Sequence, residues 1–502
     1  MKRTTLVFAL AFSFSAIYAQ NRVLLTEHFD EIGTYESASG VKGKALNLSA
    51  GASKRKSLKR TLSVAPVSES FSLSIWTKAA SFDDELYTFL TVRNNKADSS
   101  KTVWELGKQP GGAWYWSAYT DKNKYDYRPT LQRQPINDGK WHQLVFTFNN
   151  LKKEARFYYD GKNVAIYYTP ELNELLTKQS ELTIGGTEKG DLGEWETFNG
   201  MIDEFELSDG VLNAGEVLKS YQIPYGKTIK NINDQPPAQI KVMNYNIYHG
   251  GNETGKFVGP MRIAEIIKES GADIISMQET YGSGARIADA LGYYFYLRSS
   301  NLSIMSRFPI EETITGEHPF YNGGAHINLG PKKQLLFVAN WLNFPFDYWD
   351  DLEKNVDIDS ATWVNKQQTV NAEKLEQILN VMKGDFKEGL PVIFCGDFNT
   401  GSHLDWTEAT RHLNKGYVIP FPSGILMEKA GFKDSYRTLH PDPLKNRGIT
   451  WSPMHPSAFK DRIDYIYYKG NDLIPLTSDV IETHKVAYPS DHGAVLTTFK
   501  IR

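Results

Sequence analysis

A pair of stretches near the C-terminus constrains this chain more than any other feature. Residues 461–467 alternate between two strand faces, so the carboxylate of Asp464 shares its face with an apolar residue. A Pro-Ser turn at residues 489–493 then presents Asp491 and His492 ahead of another apolar strand. A carboxylate near a histidine fixes the tautomer of the ring and stabilises its protonated form. Taken singly, each stretch is better explained by a structural Asp or His.

Three further strands end in polar side chains and change that balance. Two of them, at residues 273–279 and 392–399, are apolar enough to be buried, and the third spans residues 240–247. Their polar ends are Asn246, Gln278-Glu279 and Gly396-Asp397-Phe398-Asn399. Polar side chains at the ends of several buried strands indicate one shared site.

Read in order, the motifs are Asn, Gln-Glu, Gly-Asp-x-Asn, Arg-Ile-Asp-Tyr and Ser-Asp-His. This series resembles the endonuclease/exonuclease/phosphatase superfamily, which includes DNase I-like nucleases, neutral sphingomyelinases and inositol phosphatases. The resemblance covers about residues 238–502. It implies an α/β domain with a four-layer α-β-β-α sandwich, two packed sheets flanked by helices.

Hydrolysis of a phosphate ester needs a cation to neutralise its oxygens, a polarised water and help for the leaving oxygen. The resemblance implies catalytic roles for Asp397, Asn399, Asp464, Asp491 and His492. It implies metal-binding roles for Asn246, Glu279 and Asp491. Oxygen ligands of this kind suit Mg²⁺, with Mn²⁺ as the alternative. In this scheme Asp397 activates the water, Asn399 donates to a phosphoryl oxygen, and His492 contacts the phosphate while Asp464 holds it.

One family motif is missing. Many members carry a catalytic His-Leu after the strand that here ends in Trp341-Leu342. Indole has no acidic proton to give, so Trp341 is expected to contact or shape the substrate. The histidines that could substitute are His249, after the first motif, and His326, on the preceding strand. Asn399, Trp341, His249 and His326 are therefore the candidate substrate-binding residues.

Residues 22–222 show the period-2 alternation of an all-β domain, including a hairpin around Asp160-Gly161. The pattern resembles the laminin G-like, concanavalin-type jelly roll, whose members bind glycans or proteins and in some cases Ca²⁺. Two readings stay open for this domain, a binding module and a structural spacer. Asp203 and Glu204 are its candidate Ca²⁺ ligands, with solvated strand-edge carboxylates as the alternative.

The remaining boundaries follow from composition. Residues 1–19 carry a basic start and an apolar run, which is typical of a secretory signal peptide. Residues 223–239 are rich in Pro, Gly and Asn and predict a linker before an enzyme domain at 240–502. The single cysteine, Cys395, lies within an apolar strand, so neither a disulfide nor a lipoprotein anchor is expected. No later run is long enough to span a membrane.

These features predict a secreted or periplasmic, divalent-metal-dependent phosphoesterase that hydrolyses phosphodiester bonds. Its jelly-roll domain would target it to a glycan or surface ligand. The alternatives are a DNase I-like nuclease and a binding protein that has lost its general-acid histidine. A net charge of −3 gives no basic field for nucleic acid. The aromatic, acidic stretch at 340–369 has no clear period and is expected either to cover a substrate or to pack on the other domain.

Overall fold

The computed structural model of the chain describes residues 22–225, apart from residues 32, 34, 53–56, 82–83, 95–101 and 187–197, and residues 235–502. The predicted signal peptide at 1–19 lies outside the described residues, and so does most of the predicted linker.

The N-terminal part is built from two antiparallel sheets, as the jelly-roll resemblance implies. Its strands are β1 (Val23–Glu27), β2 (Ser37–Ser39), β3 (Lys44–Asn47), β4 (Leu58–Thr61), β5 (Phe71–Ala79), β6 (Tyr87–Arg93), β7 (Thr102–Lys108), β8 (Trp114–Tyr119), β9 (Lys124–Tyr127), β10 (His142–Asn149), β11 (Glu154–Tyr159), β12 (Lys162–Tyr168), β13 (Glu181–Ile184) and β14 (Gly200–Asp209). One sheet runs β2-β3-β14-β5-β10-β11-β12, with β1 beside β14, and the other runs β4-β13-β6-β7-β8-β9.

Alternation places one face of each central strand in the core. Phe71 of β5 pairs with Phe148 of β10, and both are fully buried. The hairpin predicted between β11 and β12 is confirmed, because Asp160 and Gly161 both adopt positive φ, at 50° and 77°. Two such residues in succession fit the tight turn that the strand twist favours.

The N-terminal part also contains a helix, α1 (Ala214–Tyr225), which the all-β reading of residues 22–222 missed. Val217 of α1 shares a small buried core with Val145 and Tyr158 on the outer face of β10 and β11. The helix exists because that outer sheet face is apolar and needs cover, a tertiary requirement that strand periodicity does not reveal.

Asp203 does not lie at a solvated strand edge as the alternative reading expected. It is fully buried, and its carboxylate accepts hydrogen bonds from the backbone amides of Val41, Lys42 and Glu204. Glu204 pairs instead with the ring of His28 at 3.1 Å. Asp203 therefore anchors a loop, and backbone donors already take three of the roughly four acceptor sites of its carboxylate.

The C-terminal part alternates strands and helices. Its elements are β15 (Gln239–Asn246), α2 (Val258–Ser270), β16 (Ile274–Gln278), α3 (Gly284–Leu291), β17 (Tyr294–Leu297), β18 (Ser303–Ser306), β19 (Ile310–Ile314), β20 (Asn322–Gly330), β21 (Lys333–Trp341), α4 (Tyr348–Glu353), α5 (Ser360–Lys366), α6 (Glu373–Met382), β22 (Val392–Asp397), α7 (Pro422–Lys429), β23 (Lys433–Asp434), α8 (Ser435–Leu439), β24 (Asp464–Lys469), β25 (Leu473–Ile481) and β26 (Ala494–Ile501). A 3₁₀ segment (His249–Thr254) follows β15, and a π-helical segment (Gln367–Ala372) joins α5 to α6.

These elements form the expected four layers. The sheet β17-β18-β16-β15-β26-β25 faces the sheet β19-β20-β21-β22-β24-β23. Apolar side chains from both sheets, among them Val242 and Ile393, share the central core together with Cys395. Helices α2 and α3 cover the outer face of the first sheet, and α6 and α7 cover that of the second. The predicted α-β-β-α sandwich is confirmed.

The stretch at 340–369 is largely helical, contrary to the sequence reading. Asp347 and Asp359 cap α4 and α5 by accepting from the amides of Asp350 and Thr362. Trp363 is fully buried in a core whose described members all belong to the C-terminal part, which favours packing within this domain over packing on the jelly roll. Its apolar residues meet other loops of the same domain, and a simple periodicity does not encode such contacts.

The two domains share one continuous sheet. Strand β12 of the jelly roll pairs in parallel with β17, through Ile166 with Tyr296 and Tyr167 with Leu297. At the same junction, Asp289 of α3 accepts hydrogen bonds from the jelly roll. The fourteen-stranded sheet of the described residues therefore crosses the domain boundary and fixes how the domains meet. None of the described helices is long and apolar enough to cross a membrane.

Candidate active site

The sequence motifs converge at one end of the two facing sheets. Strands β15 and β16 run in parallel, which brings Asn246 beside Gln278. In the second sheet, Asp397 lies between Trp341 and Asp464. The site is therefore built from strand ends of both layers. We call Asn246, Glu279, Asp397, Asp464, Asp491 and His492 the carboxylate–histidine cluster.

Asn246 connects the two sheets within this cluster. Its amide nitrogen lies 3.2 Å from Oε1 of Glu279, 3.1 Å from Oδ2 of Asp397 and 3.4 Å from Nε2 of His492. The side chain is fully buried, so these contacts are made without competition from bulk water. A single amide thus sets the spacing between two carboxylates and an imidazole.

Asp397 is held on both of its carboxylate oxygens. The backbone amide of Asn399 donates to Oδ1 at 2.8 Å, and the side-chain amide of Asn399 donates to Oδ2 at 3.1 Å. Burial raises the pKa of Asp397 to about 8, and the nearby Asp464 adds to the rise although His492 opposes it. When ionised, a carboxylate with a raised pKa is a stronger base than an exposed one.

Asn399 does not face the cleft as the family role implies. Its amide nitrogen also donates to the carbonyl of Leu342 at 2.8 Å, so both amide hydrogens are already used. In this structure Asn399 positions Asp397, and the sequence-based prediction that it donates to a phosphoryl oxygen does not match its contacts.

His492 is fixed from behind by Asp464. The ring Nδ1 lies 2.8 Å from Oδ2 of Asp464, and Nε2 points toward Asp397 and Asp491, each 4.0 Å away. Burial by itself lowers the pKa of His492, but the Asp464 and Asp397 carboxylates outweigh it and raise the pKa well above its usual value. The cluster therefore favours an imidazolium directed into the site.

The residues present fit a divalent metal ion. Oδ1 of Asp491 is buried and has no hydrogen-bond partner among the described residues. Burial raises the pKa of Asp491, and the neighbouring Glu279 carboxylate adds to the rise while His492 opposes it. Two neighbouring carboxylates that influence each other's ionisation, one of them with an oxygen free of hydrogen bonds, are the hard donors that such a cation takes. The grouping of Asp397, Asp464 and His492 is also compact, but there Nδ1 and Asp464 already bind each other.

Several backbone torsions around the cluster lie in the left-handed region that side chains rarely adopt. The residues are Tyr248 (φ 45°), His249 (48°), Glu279 (56°), Tyr281 (37°) and Asn399 (50°). Backbone strain of this kind concentrates at functional sites, where surrounding contacts hold it in place. Here the amide of Gly250 donates to the carbonyl of Glu279 at 2.6 Å, so the loop after β15 is built around the Glu279 segment.

Of the two candidate replacement histidines, one lies at the site and the other does not. His249 lies at the site: its backbone amide donates to Oε2 of Glu279 at 3.2 Å and its ring stacks on Tyr248. His326 lies elsewhere, because it pairs with Leu336, which pairs with Val392 at the opposite end of β22. Five residues of strand place it roughly 16 Å from the Asp397 end. The structure therefore does not bring His326 to the cluster, because adjacency in sequence order does not fix the position along a strand.

Trp341 stands beside Asp397 in the sheet, as its place in the missing motif implies. Its indole stacks against Tyr321 and meets the edge of Phe320, with centroid separations of 6.4 and 5.4 Å. The ring is half-buried, and its Nε1 has no partner among the described residues. Trp341 therefore forms a side wall next to the cluster and supplies neither an acid nor a base.

Trp451 also borders the site, although none of the sequence motifs points to it. Trp451 pairs with His492 through the backbone, and its ring meets the histidine edge at 5.1 Å. The ring of Trp349 lies 6.1 Å from that of Trp451, and the ring of Phe344 lies 6.5 Å from Trp349. The signal that could have found this wall was the Trp-rich loop itself, because aromatic side chains without a period often line a site.

Residues 243–492 match the family described as the endonuclease/exonuclease/phosphatase family. The chain carries a domain of that family. Residues 53–218 match the concanavalin A-like lectin/glucanase superfamily, so the order of the two domains is as the sequence motifs indicated. The endonuclease/exonuclease/phosphatase domain makes this chain a metal-dependent phosphoesterase, an enzyme of the phosphodiesterase and nuclease group.

An uncharacterised protein of Caenorhabditis elegans is 28% identical over 294 residues, which are 52% of this chain and 91% of that protein. Among solved structures, an AP endonuclease from Archaeoglobus fulgidus is 17% identical with a TM-score of 0.39, covering 52% of this chain and all of that one. Truncated TDP2 of Caenorhabditis elegans is 18% identical with a TM-score of 0.36, covering 52% and 98%. The human Nocturnin catalytic domain is 17% identical with a TM-score of 0.35, covering 54% and 96%.

Proposed function

We propose that the protein is a secreted phosphodiesterase that uses Mg²⁺, with its chain divided near residues 223–239 into a targeting jelly roll and a catalytic domain. The observation that carries the catalytic part is the contact of Asn246 with both Glu279 and Asp397, beside His492. Secretion is supported by the basic and apolar start of the sequence. Targeting to a glycan is supported by the concanavalin A-like family of the first domain.

In the proposed reaction each residue of the cluster has a separate task. Glu279, Asn246 and Asp491 would hold the cation, which neutralises charge on the phosphoryl oxygens when bound. Asp397, held on both carboxylate oxygens by Asn399, takes a proton from the attacking water in its ionised form. The His492 imidazolium, oriented by Asp464, donates to a phosphoryl oxygen as negative charge develops there. Trp341 and Trp451 close two sides of the cleft.

Turnover of bis-p-nitrophenyl phosphate by the full chain tests this function. We expect Mg²⁺ to support turnover, EDTA to abolish it, and Glu279→Ala to lower kcat/KM by about 10²-fold or more, a size typical for loss of an electrostatic stabiliser in the transition state. Glu269→Ala is the matched control, since Glu269 is an exposed glutamate on α2 paired only with Lys485. Full activity in EDTA, or equal losses in the two variants, would contradict the metal role of Glu279.

A panel of DNA, RNA and choline phospholipid, assayed with the same enzyme, distinguishes a nuclease from a lipid phosphodiesterase. Transfer of the natural leader to a reporter, followed by export of that reporter from a bacterial host, tests secretion separately. A reporter that stays inside the cell would contradict the proposed localisation and would not affect the proposed enzymatic function.

A further inference from the structure

A cavity of about 500 Å³ lies where the two domains meet, a size typical of small-molecule sites. The jelly roll lines it with residues of β9 and with the end of β12, and the catalytic domain lines it with the start of α3, part of β17 and the segment that follows β17. We call it the junction cavity. None of its lining residues belongs to the carboxylate–histidine cluster, so it is a separate feature of the molecule.

A buried cation lines the junction cavity. Arg298 is only 2% exposed, and the ring of Tyr168 from the jelly roll lies 4.1 Å from its guanidinium carbon. Its Nε donates to the carbonyl of Asn322 at 3.1 Å, and its Nη2 donates to the carbonyl of Thr315. The third nitrogen, Nη1, has no partner among the described residues. A buried charged group with an unused donor costs free energy unless water or a ligand accepts from that donor.

The charges around the junction cavity do not balance. The hydrogen-bond partners of Arg298 within the described parts of the chain are neutral backbone carbonyls. The other charged residues of the lining are Lys124 and Asp126, which pair with each other at 3.1 Å. The lining therefore carries one positive charge in excess. Charge complementarity favours a ligand with a single negative charge, such as a carboxylate.

The start of α3 adds further donors to the same cavity. Gly284 and Ala285, the first two residues of α3, are part of its lining, and Ser283 before them provides no side-chain cap. Their amides have no acceptor in the described residues, and the first α3 amide that has one is that of Ile287, which donates to the carbonyl of Ser283 at 3.1 Å. Unused amides at a helix start attract anions. Arg298 and the α3 amides thus supply two independent sets of donors.

We propose that the junction cavity binds a small carboxylate ligand with one negative charge and an apolar ring. The carboxylate accepts from Nη1 of Arg298 and from the amides at the start of α3. The ring packs against the apolar part of the lining, which includes Tyr125, Phe295 and Pro170. This inference concerns a site apart from the catalytic cleft and does not depend on the proposed function.

The test measures ligand binding to the full chain by saturation-transfer NMR. The probe is phenylacetate. It is compared with 2-phenylacetamide, which keeps the shape and lacks the charge, and with acetate, which keeps the charge and lacks the ring. We expect phenylacetate to bind at least about 10-fold more tightly than either comparison ligand, because a charged hydrogen bond and burial of a ring each contribute that much or more.

Variants place the binding in the junction cavity. Arg298→Met should weaken phenylacetate binding at least about 10-fold, since the charged donor is lost. The matched control is Arg307→Met. The guanidinium of Arg307 also lies over a tyrosine ring, that of Tyr293 at 5.3 Å, but it pairs with Asp273 and lies outside the lining. This control should bind as the parent does.

A second variant decides the matter if Arg298→Met does not fold. Ala285→Pro removes one of the unused amide hydrogens at a first-turn position, where a helix tolerates proline, and should weaken binding about 3-fold or more. Glu279→Ala, in the cluster, should leave phenylacetate binding unchanged.

Four results would overturn the inference. Absence of phenylacetate binding would leave water as the occupant of the junction cavity. Equal binding of phenylacetate and 2-phenylacetamide would show an apolar cavity that does not recognise charge. Equal losses in Arg298→Met and Arg307→Met would show an unspecific effect of charge, and a loss in Glu279→Ala would place the ligand in the catalytic cleft.

Discussion

Asn246 carries no charge, yet its amide nitrogen alone contacts three members of the cluster. In the jelly roll, His142 likewise contacts several partners through one side chain. Its Nε2 lies 2.9 Å from Asp138 and its Nδ1 lies 2.9 Å from Asp160, with the Tyr159 hydroxyl 2.7 Å from Nδ1. In both places, single side chains with two or more partners fix the geometry of neighbouring carboxylates.

His142 predicts a pH dependence of stability. Burial by itself lowers its pKa, but Asp160 and Asp138 outweigh burial and leave the pKa above the usual value of 6.5. Because the folded pKa is raised, the stabilisation is fully present below about pH 6.5 and is lost as the pH rises through the folded pKa. Hydrogen bonds to a charged group contribute about 1.5–3 kcal/mol.

The measurement is thermal unfolding of the parent and of His142→Gln from about pH 5 to about pH 9. This range covers the pH at which histidines titrate. The parent should be more stable at the acid end, and the difference should shrink toward the alkaline end. A difference that grows with pH would mean that His142 is neutral in the folded protein. Burial by itself raises the pKa of Asp138, but hydrogen bonds from His142 and Lys140 outweigh burial and lower the pKa to about 2. This carboxylate therefore stays charged throughout the pH range.

At the scale of elements, the helices between β21 and β22 begin at capping residues, although no hydrophobic period in the sequence predicts these helices. Asp359 caps α5 by accepting from the amide of Thr362 at 2.8 Å, and the chain continues as helix through the π-helical segment into α6. Within that segment, Asn371 donates to the carbonyl of Phe398 at 2.6 Å, between Asp397 and Asn399. This helix therefore supports the strand end that carries the proposed base.

Asp359→Ala should lower the stability of the catalytic domain, because α5 loses the side chain that caps its first turn. Chemical denaturation of the full chain measures it, with Glu376→Ala on the exposed face of α6 as the control. Equal stability of the two variants would show that packing of Trp363, and not the cap, starts the helix.

At the scale of the whole molecule, the shared sheet makes the two domains dependent on each other. Asp289 is buried at the junction and accepts from the amide and hydroxyl of Thr130, at 2.6 and 2.5 Å, and from the side-chain amide of Gln134 at 2.6 Å. Without the jelly roll, β17 would become an open edge next to apolar surface, which favours association with other chains.

Asp289→Ala should lower the free energy of unfolding by about 2–4 kcal/mol. The buried side-chain amide of Gln134 loses its acceptor, at about 1–3 kcal/mol for an unsatisfied buried group, and the two half-buried donors of Thr130 add a smaller loss. Asp289→Asn retains one acceptor oxygen and should lose less. Denaturant unfolding of the full chain, followed by tryptophan fluorescence, gives both values. A loss within about 0.5 kcal/mol for Asp289→Ala, the range of ordinary surface changes, would show that the junction contributes little.

The sequence by itself determined which strands are buried, because apolar alternation and Gly or Pro punctuation are local properties. It also determined which strand ends carry Asn246, Glu279, Asp397 and His492. Only the tertiary structure decided that His249 joins the site while His326 does not, since register along a sheet depends on distant pairing. It likewise decided that Asn399 faces Asp397, that residues 348–382 are mostly helical, and that β12 extends the catalytic sheet. Each of these depends on partners far apart in the chain, and no local pattern specifies such partners.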